Sequence, residues 1–542
     1  MIEQPSRAEW YAVLASCAAV SLAAIAWSWR HGAMLNYGDA VAHLHIARRV
    51  FDSHRPGLTQ LGSVWLPLSH LVLIPFVAVY AWWASGAAAL IPSALAWLAS
   101  CVGVYRLARR WLAPAPAAFA LAFFALNPNL LYLQTTAMTE PLFVCLMVWT
   151  AVWLVEWRAT LDTSDERRGN RLLWCIALVL AAAVYTRYDG WIMALLAWCA
   201  IGIALLKRQR LRSRTFWLAS IVVVAAPTVW FVYNAVVFGD WLDFLRGPYS
   251  AKAIEMRTAA PGAGPPHPGW HNLWVSLIFY TKSAEMDAAA LAWGNALLII
   301  SLLGAVWGWI SARKRGFAWA LLLWLPLPFY AYSVAYGSVP IFLPVWWPHS
   351  WYNTRYGVEM LPAFALGLGF AASVVMGPAH KFKPGSVRYL SVLLFLLIGL
   401  NVGWMLREGP PVYIEGTKNI EARRSYEEEI PAALRELLAT RPGGVVLMDT
   451  SVYPQIVAFT GIPLSQTINE SDKEFYHAAL AAPAQHAALV LAFDGDEIDR
   501  AVHAHPEGLQ EVRRFAAPNQ PSAVLYVSVT PTPATPANAF ER

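Results

Sequence analysis

Long stretches without a charged residue alternate along the chain with short clusters dense in arginine and lysine. Runs such as "WYAVLASCAAVSLAAIAWSW" (Trp10 to Trp29), "LASIVVVAAPTVWFVYNAVVF" (Leu218 to Phe238) and "YLSVLLFLLIGLNVGWML" (Tyr389 to Leu406) each approach the ~20 apolar residues that cross a bilayer core. Clusters such as "RLARR" (Arg106 to Arg110), "KRQRLRSR" (Lys207 to Arg214) and "ARKR" (Ala312 to Arg315) punctuate them where a positive-inside topology puts its cytoplasmic loops. The pattern predicts an all-α polytopic membrane domain over residues 1–406, with about eleven transmembrane helices of ~20 residues. The first run lacks a small-residue cleavage site and is expected to be a retained helix. Trp65 to Trp83 contains Pro67 and Pro75 and is expected to lie partly in the interface or re-enter rather than cross fully.

After about Arg407 the period changes. "EEEIPAALRELLATRPGGVVLMDTSVYPQIVAFTG" reads as an amphipathic helix, a glycine break, a buried strand and a helix; "HAALVLAFDGDEIDRAVHAH" repeats strand then helix, and "AVLYVSV" is a last strand. Residues 407–528 are therefore expected to form a small α/β domain. With every basic loop inside, this domain and the first loop (about residues 30–64) face outward. The Pro- and Thr-rich tail, 529–542, is expected to be disordered.

Composition agrees with the pattern. The chain is 58% hydrophobic and 14% charged with a mean hydropathy of +0.44, against about 25% charged residues in a soluble domain. The net charge of +6 falls in the clusters between helices, which explains it by orientation and excludes nucleic acid as a partner. The five cysteines lie in apolar runs without a C-x-x-C spacing, so neither disulfides nor a cysteine metal site is expected.

Four short polar segments break the rule that this chain avoids charge. "NYGDAVAHLHIARRVFDSHR" (Asn36 to Arg55) puts Asp39 at the start of a surface helix, either as its cap or as a reactive acid, with His43 one turn on. "LYLQTTAMTEPLF" sets Glu140 at the start of an apolar run, where the helix macrodipole alone would favour it. "YTRYDGW" holds Arg187 and Asp189 in a tight turn, readable as a local ion pair. In "PHSWYNTRYGVEMLPAF", Arg355 enters a span with Glu359 at i,i+4 spacing, either as an internal pair or as a functional cation. The topology brings Asp39, Glu140, Arg187, Asp189 and Arg355 to one membrane face, as an outward-facing polar cavity would require.

The order of these motifs, with "VWLPLSHLVLIP" between the first and second, resembles the membrane glycosyltransferases of the C-type (GT-C) fold. The similarity is to the protein mannosyltransferase and lipid A aminoarabinose transferase branch, and it covers roughly Trp10 to Leu406. The resemblance implies an enzyme that moves a sugar, with inversion, from a polyprenyl phosphate carrier to a protein, lipid or glycan acceptor at the outer face of a bacterial inner membrane. It implies Asp39 as general base, Arg355 and then Arg187 as donors to the lipid phosphate, and Glu140, Asp189, His43 and Tyr356 as residues that shape the site.

Two departures stand out. Where the aminoarabinose branch carries a Glu-Lys pair this chain has Val64 and Trp65, and where the mannosyltransferases carry Asp-Glu it has Asp39 and Ala40. No cofactor is required by the motifs; a divalent metal, if one is used, would draw on Asp39, His43 and Glu140. An oligosaccharyltransferase-like enzyme that moves a larger glycan is the nearest alternative. A transporter would show repeats and mid-span polar residues, and a scaffold gives no reason for Asp39 and Arg355.

Overall fold

The computed structural model describes residues 5–163, 165–258, 265–382, 386–518 and 520–529. The tail expected to be disordered lies almost wholly outside them. Among the described residues nine helices are long and apolar enough to cross a membrane, from Arg7–His31 to the helical stretch Arg388–Ala439. Two further apolar helices, Leu68–Val77 and Pro114–Ala125, have 10 and 12 residues. At ~1.5 Å per residue neither spans a ~30 Å hydrocarbon core alone, whereas Glu166–Val184, outside the nine, has 19 residues, so the nine do not fix the exact count of about eleven.

Trp65 to Trp83 is not one continuous helix. Leu68–Val77 ends with Pro75 inside it, and the separate helix Tyr80–Ser85 starts after Val79 adopts an extended conformation. The bend follows from the residues, since proline removes a backbone donor from the last turn.

The chain divides into two compact units. The first comprises residues 1–31, 63–69 and 90–415; the second comprises 32–62, 70–89 and 416–542.

In the first unit, small residues let spanning helices approach closely. A Cβ on Gly304 would stand 1.9 Å from the carbonyl oxygen of Gly367, so the helices Gly294–Ala312 and Leu361–Phe382 meet backbone to backbone. Local capping sets other segments: the Asn127 side chain accepts from the backbone N–H groups of Asn129 and Leu130 at 3.0 and 3.2 Å, with Pro128 at the first helical position.

The second unit is built on a five-stranded sheet, β1 (Val446–Met448), β2 (Thr467–Ile468), β3 (Leu489–Phe493), β4 (Leu509–Phe515) and β5 (Ala523–Ser528), in the order β2-β1-β3-β5-β4. β1 pairs in parallel with β2 and β3, and β5 runs antiparallel to β3 and β4. All five residues of β3 are buried, as expected of a central strand covered on both faces. Leu447, Ile468, Val490, Ile498 and Val502 form the core on one face.

Candidate functional site

Within the first unit, the motifs around Glu140, Arg187 and Arg355 converge on one buried polar network. Glu140 is the first residue of the helix Glu140–Thr160, preceded by Thr139 and followed by Pro141. Its Oε1 lies 3.2 Å from Nη1 of Arg187 and 3.3 Å from Nε of Arg355, so one carboxylate oxygen serves two guanidiniums. Asp189 opens the helix Asp189–Lys207 and stands 3.4 Å from Nε of Arg187. Arg187 Nη1 also donates to Thr139 Oγ1 at 2.8 Å, and its Nη2 donates to the Tyr330 hydroxyl at 2.5 Å.

Glu359 contributes differently from the expected i,i+4 pair: its Oε1 meets Arg187 Nε at 3.2 Å and accepts from Tyr330 at 2.8 Å. The physical reason is local backbone geometry. Thr354–Met360 is a 3-10 helix, whose tighter winding does not stack residues four apart on one face. Arg355 Nη1 instead reaches Glu415 Oε1 at 2.8 Å, and the same carboxylate accepts from the backbone N–H groups of Asn353 and Thr354 at 3.0 and 2.7 Å.

Aromatic rings complete the arrangement. The ring of Tyr356 lies 5.1 Å from the Arg187 guanidinium carbon and 5.0 Å from that of Arg355, placing one π-face beside two cations. Tyr280, Tyr330 and Tyr356 stack in series with centroids 4.7 and 4.9 Å apart.

Such a network is costly to bury and survives by pairing. Its exposure is uneven: the Glu140 and Glu359 side chains keep 1% and 0% of their accessible surface, whereas Arg355 and Arg187 keep 7% and 14%. The two arginine side chains thus keep more accessible surface than these two acids.

Asp39 and His43 stand in the second unit, on the helix Gly38–Arg49. Tyr37 is the N-cap, so Asp39 sits inside the first turn rather than capping the helix, half-buried, where its charge suits the macrodipole. His43 is buried, and its Nδ1 is 2.8 Å from Nε2 of His70. Burial, with His43 and Arg49 nearby, holds His70 well below the usual histidine range. Among the described residues no group of three or more His, Cys, Asp or Glu is arranged to hold a metal ion.

The rest of the charge in Asn36 to Arg55 is structural. Asp52 accepts from Arg48 Nε at 2.7 Å, from Leu464 N and Ser465 N at 3.2 and 3.0 Å, and from Ser465 Oγ at 2.8 Å. Arg49 donates to Ser471 Oγ at 2.6 Å, His54 meets the Thr467 carbonyl at 2.9 Å, and Arg55 pairs with Glu474 at 2.7 Å. His45 is buried against Trp83, and burial pushes its pKa down to about 3.

Of the five residues expected together, Glu140, Arg187, Asp189 and Arg355 meet in the first unit, with Tyr356 beside both arginines, whereas Asp39 belongs to the second unit. Sequence reasoning missed Tyr330, Thr139 and Glu415. Glu415 carried a usable signal, an acid in the first turns after Pro410 and Pro411; Tyr330 sits in a plain aromatic run and carried none.

Comparison with known proteins agrees with this picture. Residues 63–233 match the family model described as dolichyl-phosphate-mannose-protein mannosyltransferase. No curated protein matches the chain by sequence. The crystal structure of ArnT from Cupriavidus metallidurans bound to undecaprenyl phosphate superposes with a TM-score of 0.55 at 14% identity, covering 97% of this chain and 99% of that one. Its apo state gives 0.52 at 14% identity, over 96% and 98%. The apo oligosaccharyltransferase of Archaeoglobus fulgidus gives 0.50 at 11% identity, over 89% of this chain and 69% of that one. The chain thus has the GT-C fold of a membrane protein, shared with ArnT, and residues 63–233 resemble the mannosyltransferase family.

Proposed function

We propose that the protein is an inverting glycosyltransferase that takes a sugar from a polyprenyl phosphate carrier and gives it to an acceptor hydroxyl at the outer face of the membrane. The observation that carries this reading is the buried network itself, in which two arginines gather on the Glu140 carboxylate and keep more accessible surface than Glu140 and Glu359 do. That polarity suits an approaching phosphate. The match to a mannosyltransferase family over 63–233, and a fold shared with a protein bound to undecaprenyl phosphate, support the same donor class.

In the proposed reaction Asp39 takes the proton of the acceptor hydroxyl while that oxygen attacks the anomeric carbon. The bond from this carbon to the phosphate oxygen breaks, and the polyprenyl phosphate leaves with the electron pair. Arg355 stabilises the charge gathering on the leaving phosphate, its planar fork matching two oxygens. Arg187, held by Thr139, Glu140, Asp189, Glu359 and Tyr330, fixes Glu140 and, through it, Arg355, and stands second to Arg355 as a donor to the phosphate. With the arginines supplying positive charge, the reaction is expected to persist in a chelator.

The test is release of polyprenyl phosphate from a series of polyprenyl phosphosugars by the purified full chain in lipid. Release by the wild type, lost by about a hundredfold or more in Asp39→Asn with unfolding unchanged, supports the assignment. No release from any polyprenyl phosphosugar overturns the donor class, and equal release by the variant removes Asp39 as base.

A further inference from the structure

The network described above gathers at the N-terminal end of the helix Glu140–Thr160. That helix has 21 residues and is about 30 Å long at 1.5 Å per residue, so its far end lies a bilayer thickness away. There, still within the first unit, the structure has a second polar feature that the glycosyl transfer does not use. It is a cavity of about 860 Å³ whose lining carries seven basic side chains against two acidic ones.

Both acids are already claimed. Glu156 receives Arg106 in a two-pronged contact at 2.6 and 2.9 Å, with Arg168 at 3.6 Å. Asp162 pairs with Arg158 at 2.6 Å and with Arg208 at 2.5 Å. Arg109 is neutralised by Glu9 at 3.1 Å. Three lining residues, Arg110, Lys314 and Arg315, are exposed and make no ion pair among the described residues. They leave a local excess of positive charge.

Most of the remaining lining is apolar and belongs to membrane-spanning helices. Trp10 and Leu14 come from Arg7–His31, and Val102 from Ala87–Arg109. Leu14 keeps 40% of its surface, and neighbouring Tyr11 keeps 71%, so the wall of the cavity runs on into the lipid-facing side of the helix. A tryptophan at this depth suits the headgroup level of a bilayer.

We propose that this cavity binds the phosphate of an anionic phospholipid in the leaflet opposite the sugar-transfer site, with Arg110, Lys314 and Arg315 around the headgroup and an acyl chain along Trp10 and Leu14. Charge alone would accept a free phosphate. The apolar wall, open to the bilayer, favours a phosphate attached to a lipid, as basic pockets between spanning helices do elsewhere. By the positive-inside rule the leaflet is the cytoplasmic one, whose anionic lipids are available to it.

The experiment uses the full chain in nanodiscs of phosphatidylcholine doped with phosphatidylglycerol, with retained lipid read by native mass spectrometry. The expected result is selective retention of phosphatidylglycerol by the wild type, reduced by about fivefold for each basic side chain removed in Arg110→Gln, Lys314→Gln, Arg315→Gln. Glycerol phosphate in solution should not displace it. Displacement by glycerol phosphate would assign the cavity to a free phosphate and overturn the lipid proposal, as would equal retention of the two lipids by the wild type. Since three basic residues also help to orient the chain, Lys314→Gln alone is the control: a loss of about fivefold supports the site, and unchanged retention counts against it.

Discussion

Oε1 of Glu140 lies 3.2 Å from Nη1 of Arg187, and the same oxygen is 3.3 Å from Nε of Arg355. The carboxylate therefore holds two like charges in one buried space, and removing it exposes each guanidinium to the other. Glu140→Ala is expected to cost about 3–5 kcal/mol of stability, the range for breaking a buried ion pair. Glu140→Gln keeps the shape and an acceptor oxygen and is expected to cost less. Unfolding of the two purified variants in detergent, followed by tryptophan fluorescence, checks the order.

Arg187 and Arg355 are expected to separate by what their loss disturbs. Arg187 is bound on three nitrogens by side chains of four different segments, so Arg187→Lys removes the fork that joins them and lowers the unfolding midpoint. Arg355→Lys retains a charge beside Glu140 and Glu415, and its effect should fall on the donor, as a rise in KM for polyprenyl phosphosugar of about tenfold. A rise in donor KM for Arg187→Lys alone, with Arg355→Lys unaffected, would exchange the two roles.

How much could be read from residues alone follows from the kind of signal each element leaves. Spans such as Arg214–Phe238 announce themselves, since lipid demands a continuous apolar run. β1, β3 and β5 were legible because their apolar residues are bounded by glycine, by proline or by a change to helical period. β4, "LQEVRRF", was not: it is an edge strand, five of its seven residues are exposed, and it pairs on one side only. In the site, charge inside or at the end of a span was legible because membranes penalise it. Its partners were not, because the 3-10 winding of Thr354–Met360 and the contact from Glu415 depend on tertiary structure. The arginines of the first loop left no legible role: Arg48, Arg49 and Arg55 are held by Asp52, Ser471 and Glu474 within their own unit.

That use of the first loop makes Asp52 a structural anchor. Burial would raise its carboxyl, but the bonds from Ser465 and Arg48 outweigh this and hold it below the ordinary 3.8. A depressed pKa means that the stabilisation is present above the usual aspartate range and is lost only as pH falls through the lowered folded value. Asp52→Asn removes charge-assisted bonds and leaves Arg48 without its carboxylate partner, so it is expected to cost about 2 kcal/mol. Faster proteolysis within residues 50–62 of the full chain is the measurement, and an unchanged cleavage rate would remove the anchor role.

Glu470 points in the opposite direction. Burial, followed by the neighbouring charge of Asp449, pushes its pKa up to about 7 from 4.5, despite hydrogen bonds from the backbone N–H and hydroxyl of Thr450 at 2.9 and 2.7 Å. The folded form thus binds this proton more tightly than the unfolded one. Stability around β1 and β2 is greatest below the ordinary glutamate pKa, declines as pH rises from there through about 7, and levels off above it. Glu470→Gln imitates the protonated acid, so it should match the wild type in acid and exceed it in mild alkali. Hydrogen exchange of segments 446–472 in the full chain reads this locally. Slower exchange for the variant above pH 7, with the two proteins alike near pH 4, is the expected outcome; equal protection across the whole range would mean that Glu470 carries its charge into the folded state at no cost.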